Sequence, residues 1–463
     1  MAIPINPNLS AGHKRSINPK RIEKLHDGQA GGGAVVYWMS REQRTQDNWA
    51  LLYAQSIAIE LRTPLRAVFC LQNNLLGGTV RQYEFMFDGL REIEAEFAAL
   101  NIGLTILLGK PENVLPPFLE NIACSALVCD FDPLRTKLIW QYNISRAINI
   151  PIFRVDARNI VPYNIVSQEP EPDIFTFHRK IHNFLPEFLT NIPPTTRHPF
   201  GDLNNTKHNN WDFIRASLWR DSSVGTISGI TAGPASAKRV LHTFIHERLN
   251  YYHTQYSDPN ANIQSHLSPY LHFGQISAQR IALYILAADA PQNAKSRFLN
   301  NIIMRREFAD NFCFYNPNYD LTDIFSERTL ELLAKRRAGC RRYIYSLRDF
   351  EHAETHDKLW NATQIEMITT GFMQGYLRKY WVRKIFDWSI SPDEAIQYAI
   401  YLNNKYQIGG RDSNSFASIV TSICEIHDLV RVNRLILKRT RVRTSVSYAE
   451  KFDMQRYIAR FTL

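Results

Sequence analysis

The segment from Ser265 to Gly274 combines hydroxyl groups, histidines and a proline in the order SHLSPYLHFG. Pro269 is favoured in the first turn of a helix, because the N–H group that proline lacks would have no intrahelical partner there. Ser265 and Ser268 would then lie where hydroxyls and free backbone N–H groups converge, and such groups bind a phosphate or another anion. The alternative is an ordinary helix start with a serine cap. The local sequence leaves both interpretations open.

Three tryptophans in the C-terminal half form a second candidate set. Trp381 and Trp388 are seven residues apart, so two helical turns would place both on one face, about 10 Å apart along the axis. Trp360 begins the preceding segment, in HDKLWNA. Spacing alone favours plain packing of these large rings in a core.

Other polar residues could have a function, but each also has an ordinary structural explanation. The segment RREFADNF, from Arg305 to Phe312, can form ion pairs within one helix. Asn403 stands near a predicted helix end, where asparagine often acts as a cap. His427 and Asp428 are adjacent, and neighbouring residues on one helix point apart, which disfavours a catalytic pair.

The N-terminal part alternates apolar runs with helical patterns. Strands are predicted at 34–39, 65–71, 104–108, 126–130 and 152–156, and helices at 47–61, 83–100 and 116–121. This alternation predicts an α/β domain with a doubly wound parallel sheet over residues 34–156. No GxGxxG motif follows the first strand, so a dinucleotide site of that type is not indicated. Residues 1–33 are predicted to be a polar, basic tail.

After residue 156 the composition and the predicted secondary structure change. Residues 157–212 are rich in proline, asparagine and threonine, which indicates an interdomain linker with short helical pieces. Residues 213–463 are predicted to form an all-helical domain. Its clearest helical patterns cover 235–251, 277–287, 295–314, 363–388 and 392–405.

Composition narrows the classes of protein. The chain has 463 residues, 45% of them hydrophobic, which is typical of a folded protein with two or three domains. No apolar run has membrane-spanning length and the start does not resemble a signal peptide, so we expect a cytosolic protein. Six scattered cysteines favour reduced core thiols. The net charge of +10 favours a polyanionic partner, although solvated helix faces explain it equally well.

The loop, the tryptophans and the two-domain order together resemble the photolyase/cryptochrome family. The resemblance covers nearly the whole chain from Ala34 onwards, and the sequence motifs are most similar to those of the class II cyclobutane pyrimidine dimer DNA photolyases. It implies non-covalently bound FAD. By this resemblance, the cofactor-binding residues are Tyr252, Ser265, His266, Leu267, Ser268, Arg378 and Asn403.

The resemblance also assigns roles around the flavin. Trp381 would lie nearest the flavin, Trp360 would relay electrons, and Trp388 would lie nearest solvent. Arg378 would lie beside the ring and favour its anionic reduced form, and the amide of Asn403 would face N5. Indole rings suit such a chain because they are large, easily oxidised and can be packed in series.

The implied reaction is light-dependent DNA repair, in which reduced FAD donates an electron to a flipped-out pyrimidine dimer and the dimer splits. The partner would be double-stranded DNA that contains dimers, bound by a monomer in the cytoplasm, or in the nucleus of a eukaryote. The N-terminal domain could hold a deazaflavin or folate antenna, which the sequence does not identify. The implied substrate and DNA contacts are Asn301, Arg305, Tyr376, Arg431, Lys438, Arg439 and Arg441.

Several positions depart from the family pattern. Asn301 replaces a glutamate, Gly409 an aspartate and Lys379 a methionine, while Thr421 and Arg431 replace tryptophans that would cradle the dimer. The changes at Asn301, Gly409, Thr421 and Arg431 motivate a second hypothesis, a photolyase-fold flavoprotein without repair activity, such as a light sensor or a decayed paralogue. A third alternative is a basic helical nucleic-acid-binding protein without flavin.

Overall fold

A computed structural model describes residues 17–201, 208–327, 329–331, 333, 342–424 and 451–462 of the chain. In these residues an α/β domain precedes an almost wholly helical domain, as the sequence predicts. Among the described helices, none is long and apolar enough to cross a membrane.

The N-terminal domain is built on one six-stranded sheet in the order β1-β6-β5-β2-β3-β4. Neighbouring strands are parallel except β1, which pairs antiparallel with β6. The strands are β1 (Ile22–His26), β2 (Val35–Trp38), β3 (Leu65–Leu71), β4 (Gly103–Leu108), β5 (Ala126–Asp130) and β6 (Ile152–Val155).

The central strand β2 shows why this sheet is covered on both faces. Successive side chains of a strand point to opposite faces. Val35 and Tyr37 pack on the face covered by α1 and α2, whereas Val36 and Trp38 pack on the face covered by α3 and α4. Both faces are therefore apolar, and the strand reads as a continuous hydrophobic run. The helices are α1 (Trp49–Leu61), α2 (Val80–Ala99), α3 (Pro111–Asn121) and α4 (Arg135–Ala147).

The segment expected to be a tail is partly structured. Strand β1 adds an antiparallel edge, with Ile22 opposite Val155. Gly33 then passes so close to the next layer that an added Cβ would lie 2.0 Å from the carbonyl oxygen of Ile122. The prediction of a tail over residues 1–33 is therefore wrong for β1 and the glycine-rich stretch after it.

The connection between the domains contains more helix than its composition indicates. It includes α5 (Tyr163–Val166), α6 (Ile174–Phe188) and the start of α7 (Trp211–Ser217). Helix α6 is capped by Asp173, whose carboxylate accepts backbone N–H groups of its first turn. Its apolar face packs into the core of the helical domain.

The helical domain surrounds two apolar clusters, one of which contains the three tryptophans. Its helices are α8 (Pro234–Thr243), α9 (Tyr252–Gln255), α10 (Ser268–His272), α11 (Ala278–Ala287), α12 (Gln292–Leu299), α13 (Arg306–Tyr315), α14 (Leu347–Glu351), α15 (Lys358–Thr370), α16 (Gly375–Trp388), α17 (Pro392–Tyr406), α18 (Ser413–Cys424) and α19 (Met454–Arg460).

Three predicted helices are interrupted, and the one over 235–251 contains a π-helical turn, Phe244–Arg248, after α8. The pattern over 363–388 belongs to α15 and α16, because α15 ends at Gly371 in the left-handed conformation, with a φ of 71°. The pattern over 295–314 contains a π-helical turn, Asn300–Arg305, between α12 and α13. Such turns occur frequently at functional sites.

A buried charge network joins the two domains. Arg158 donates to Asp310 and, over 2.9 Å, to Asp412, and Arg41 also donates to Asp412 over 3.0 Å. Although burial opposes ionisation, these arginines hold the pKa of Asp412 well below its usual range. Glu307 accepts the backbone N–H of Ile160 over 2.6 Å. The network therefore fixes the N-terminal domain against α13 and the start of α18.

Candidate functional site

The Ser265–Gly274 segment forms a loop and the short helix α10. Pro269 lies in the first turn of α10, as predicted. Leu267 is buried, whereas Ser268 is exposed, and the Ser265 hydroxyl accepts the backbone N–H of Leu267 over 3.4 Å. The loop thus presents the Ser268 hydroxyl while its apolar residue anchors it in the core.

His266 gives the loop its sharp turn. Its φ is 56°, in the left-handed region, and its Nε2 lies 3.1 Å from Oδ1 of Asn262. A cavity of about 600 Å³ adjoins this side of the loop, and Arg239 and Arg248 line it together with His266. Burial, followed by the charge of Arg248, lowers the pKa of His266. The side chain is therefore neutral near pH 7 and does not add to the cationic lining.

Arg378, on α16, is held by a neutral partner. Its Nη2 donates to Oε1 of Gln407 over 3.0 Å, while its Nε is buried without a hydrogen-bond partner. Burial lowers the pKa of Arg378 to about 10, and Asp412 only partly opposes this effect. The guanidinium therefore remains charged at neutral pH but is incompletely compensated, which suits contact with an anion.

Asn403 and Gly409 flank the same region from α17 and the turn after it. Asn403 is buried, and its Nδ2 donates to Oδ1 of Asn404 over 3.2 Å. Gly409 packs against the loop, since an added Cβ would lie 3.4 Å from the carbonyl oxygen of Ser268. A methyl group at 409 would therefore make ordinary contact with the loop.

The three tryptophans form a continuous series of rings. The ring centroids of Trp381 and Trp360 lie 6.2 Å apart with nearly parallel planes, and those of Trp360 and Trp388 lie 6.1 Å apart at 68°. Trp360 Nε1 donates to the Trp381 carbonyl over 3.1 Å, and Trp381 Nε1 donates to Gln364 over 2.9 Å. The rings are thus fixed in contact, with Trp381 one helical turn from Arg378.

The far end of this series approaches solvent. Trp388 is only 4% exposed, but its ring lies 4.9 Å from that of exposed His356 and 5.6 Å from that of Tyr345. The hydroxyl of Tyr345 lies 2.8 Å from Nδ1 of His356. Of the three tryptophans, Trp388 therefore lies against surface residues.

The predicted substrate residues lie on a second side of the domain core. The amide of Asn301, in the π-helical turn, donates to the hydroxyl of Tyr252 over 3.0 Å. Burial raises the pKa of Tyr252, and the hydrogen bond from Asn301 opposes this. Arg305 ends the same turn and is exposed, and Tyr376 lies in the first turn of α16. The structure therefore brings Asn301 and Arg305 to the predicted cofactor residue Tyr252.

The remaining predicted contacts have a different status. Arg431, Lys438, Arg439 and Arg441, as well as His427 and Asp428, lie outside the described residues. Thr421 lies on α18, where its hydroxyl donates to the carbonyl of Ala417 over 2.6 Å. Its side chain bonds to its own helix.

The sequence analysis did not identify several neighbours of these residues. The additional residues are Arg239, Arg248, Tyr256, Arg297, Gln364 and Gln407. Gln364 and Gln407 carried no recognisable signal, because a single amide has many structural uses. The arginines belonged to helical patterns that solvated faces explain equally well.

The residues present fit a flavin nucleotide. Buried Nε of Arg378 and buried Nε2 of Gln407 have no hydrogen-bond partner within the described residues, and such groups normally require one. The Ser268 hydroxyl and the arginines beside His266 suit phosphate oxygens. The candidate site therefore offers both a cationic group for a ring and polar groups for a diphosphate.

Comparisons with known proteins identify the family of the chain. Residues 35–199 match the DNA photolyase family model. The chain is 41% identical over 430 residues to a deoxyribodipyrimidine photo-lyase of Potorous tridactylus, covering 92% of this chain and 80% of the relative. It is 36% identical over 461 residues to the Arabidopsis thaliana protein of the same name, covering 96% and 93%.

A solved structure shows the same fold. An archaeal photolyase from Sulfolobus tokodaii, described with two FAD molecules, matches with a TM-score of 0.68 at 15% identity, covering 93% of this chain and 90% of that one. The expected architecture, an α/β sheet domain followed by a helical domain, is thereby confirmed. From the identity and coverage of its relatives, the chain belongs to the deoxyribodipyrimidine photo-lyase family of DNA photolyases.

Proposed function

We propose that this protein is a light-dependent lyase that repairs cyclobutane pyrimidine dimers in DNA. Two relatives, 41% and 36% identical to this chain, carry the name of that enzyme, and the alignments cover 80% and 93% of their length. The observation within the chain that best supports the proposal is the contact series Trp381–Trp360–Trp388, which ends one helical turn from Arg378. Plain core packing does not require three indoles in sequence beside a partly compensated cation.

The cofactor of this reaction would be FAD, which when bound and reduced supplies the photoexcited electron donor. Arg378 would hold negative charge on the ring, and Asn403 would face the ring with its amide. Ser265, His266, Leu267 and Ser268 would bind the diphosphate through hydroxyl and backbone groups. Tyr252 would close the pocket towards the substrate side.

The tryptophans would restore the reduced cofactor. In this proposal Trp381 gives up an electron to the cofactor, Trp360 re-reduces Trp381 across the parallel stack, and Trp388 re-reduces Trp360. A reductant from solution, such as a thiol, then re-reduces Trp388 near the surface. Their burial keeps water away from the first two rings, while His356 at the surface can accept a proton near Trp388.

The substrate would enter beside Asn301, Arg305 and Tyr376. The neutral amide of Asn301 can donate a hydrogen bond to a pyrimidine carbonyl, although it cannot supply the charge of the glutamate that the family pattern has there. The basic residues Arg431, Lys438, Arg439 and Arg441 would contact DNA phosphates without reading sequence. The relatives at 36% and 41% identity are both named deoxyribodipyrimidine photo-lyase, and nothing in the comparisons favours the non-repair alternative.

An antenna pigment would lie between the domains. A cavity lined by Gln72, Lys137, Trp140 and Phe273 opens at the carboxyl ends of the parallel strands, where β2 separates β3 from β5. Ligands of open α/β sheets bind at such switch points. The absorption spectrum of the purified protein, measured before and after flavin extraction, would show whether a deazaflavin or a folate is bound.

The deciding experiment is a repair assay. Purified protein would be reduced under blue light and incubated with a thymine-dimer duplex under near-ultraviolet light, with a dark sample as control. Loss of dimers only in the light supports the proposal. Bound, photoreduced flavin with persisting dimers would reject repair, and absence of flavin would reject the flavoprotein assignment. Light scattering of the same sample would test the predicted monomer.

A further inference from the structure

Tyr256 and Arg297 form a cation–aromatic pair at the substrate side of the site. The guanidinium carbon of Arg297 lies 3.5 Å from the centre of the Tyr256 ring, so the charged plane covers the ring face. Both side chains are partly exposed. Among the contacts of the described residues, this is the shortest approach of an arginine to an aromatic ring.

The pair is held by the site residues themselves. The ring of Tyr256 lies 6.2 Å from that of Tyr252, which is buried and bonded to Asn301. The backbone carbonyl of Tyr256 accepts the side-chain amides of Gln264 and Gln374, each over 3.0 Å. Gln264 leads into the loop at Ser265, and Gln374 directly precedes α16. The aromatic ring is thus fixed between both parts of the site.

The cationic charge here has no carboxylate partner. Within the described residues, neither Arg297 nor Arg305 forms an ion pair, and the groups that influence the Arg305 charge are Tyr252, Tyr256 and Arg297. Two guanidiniums beside the partly exposed phenol of Tyr256, with buried Tyr252 and the amide of Asn301 behind it, make a surface that is both stacking and cationic. Nucleotides are the ligands that combine a flat ring with a negative charge, and arginine planes and aromatic rings stack on bases.

We propose that the Arg297–Tyr256 pair is the stacking platform for a base of the extruded pyrimidine dimer, with Arg305 against the adjoining phosphate. This inference rests on the proposed function and names the residues that would replace the stacking surface absent at Thr421 and Arg431. The guanidinium of Arg297 covers one face of the phenol and presents its own outer face to the base. Base stacking in this protein then comes from Tyr256, directly after α9, and from Arg297 of α12 in place of two tryptophans.

The test compares binding of a thymine-dimer duplex with binding of the undamaged duplex by fluorescence anisotropy. Tyr256→Ala and Arg297→Ala should each weaken binding of damaged DNA about 5- to 100-fold, which corresponds to about 1–3 kcal/mol per stacked base. Tyr256→Phe should retain wild-type affinity. Binding of undamaged duplex should not change, because its bases stay stacked in the helix.

A matched control is the pair Arg280–Tyr284, an exposed tyrosine with an arginine 5.8 Å from its ring centre. Tyr284→Ala should leave both affinities unchanged. Equal losses for damaged and undamaged duplex in Tyr256→Ala, or wild-type affinity in that variant, would overturn the platform. If wild-type protein shows no light-dependent repair, the proposed function itself fails, whereas repair with an unaffected Tyr256→Ala variant rejects the platform alone. Unchanged flavin content and thermal midpoint identify variants that fold normally.

Discussion

The neutral partner of Arg378 leads to a specific prediction about the bound flavin. Gln407→Glu replaces the amide that accepts from Arg378 over 3.0 Å with a carboxylate of nearly equal size. The substitution should neutralise the charge beside the ring without adding volume. We expect the flavin midpoint potential to fall, because a negative charge near the ring disfavours its anionic reduced form.

The size of the effect follows from the geometry. If Arg378 contacts the ring, the new carboxylate would lie about 8 Å from it, and two unit charges at that distance interact by about 2 kcal/mol at an effective dielectric constant of about 20. For a one-electron couple, about 1.4 kcal/mol corresponds to about 59 mV, so we expect a decrease of about 90 mV. The carboxylate should also raise the pKa of Arg378 from its lowered value of about 10.

The assay is a spectroelectrochemical titration of the flavin absorbance against a reference dye, in wild type and in Gln407→Glu. Gln292→Glu provides the control, since it adds the same charge at an exposed position at the start of α12. Flavin content from the visible spectrum must match before potentials are compared. An unchanged or higher potential in Gln407→Glu, with the control at the wild-type value, would refute the reasoning that Arg378 acts on the flavin as an incompletely compensated cation.

Three further predictions concern the relay, the domain interface and pH. Trp381→Phe should abolish flavin photoreduction under blue light while leaving FAD bound, and normal photoreduction would reject the relay. Asp412→Asn removes the carboxylate that Arg158 contacts over 2.9 Å, and urea unfolding should show a loss of about 3–5 kcal/mol, as expected when one partner of a buried pair is deleted. Burial raises the pKa of Glu366 from 4.5 to about 7, although Tyr457 donates to it. Its contribution to stability is thus present at low pH and lost as the pH rises from 4.5 to 7. Glu366→Gln should therefore gain thermal stability over wild type at pH 8 but not at pH 4, and an equal difference at both values would contradict the assignment.

The sequence predicted the central sheet well because its strands are buried on both faces. A run such as β2 is apolar throughout and has few alternative structures. Strand β1, in contrast, reads IEKLH and is only partly buried at the edge of the sheet, so its pattern resembles that of a polar tail. The break between α15 and α16 had a local signal in Gly371, which the helical spacing on either side concealed.

Some residues of the candidate site could likewise be predicted from the sequence, and others depend on tertiary packing. The loop at Ser265 and the tryptophans could be found from residue type and spacing, and the resemblance assigned their roles. Spacing placed Trp381 and Trp388 on one face, but the ring contacts run through Trp360 from another helix, which depends on how α15 packs on α16. The Arg297–Tyr256 contact joins residues 41 positions apart and follows only from tertiary packing.

The charge pattern connects the two sides of the site. Arg378 meets an amide, and Arg297 and Arg305 have no carboxylate partner within the described residues, whereas the interdomain arginines Arg41 and Arg158 both donate to the carboxylate of Asp412. These interdomain cations are thus neutralised by a protein carboxylate, and the three cations of the candidate site are not. Because an unpaired buried or crowded charge is costly, these three cations favour a negatively charged ligand. A flavin anion beside Arg378 and a nucleotide phosphate beside Arg305 would each supply such a charge.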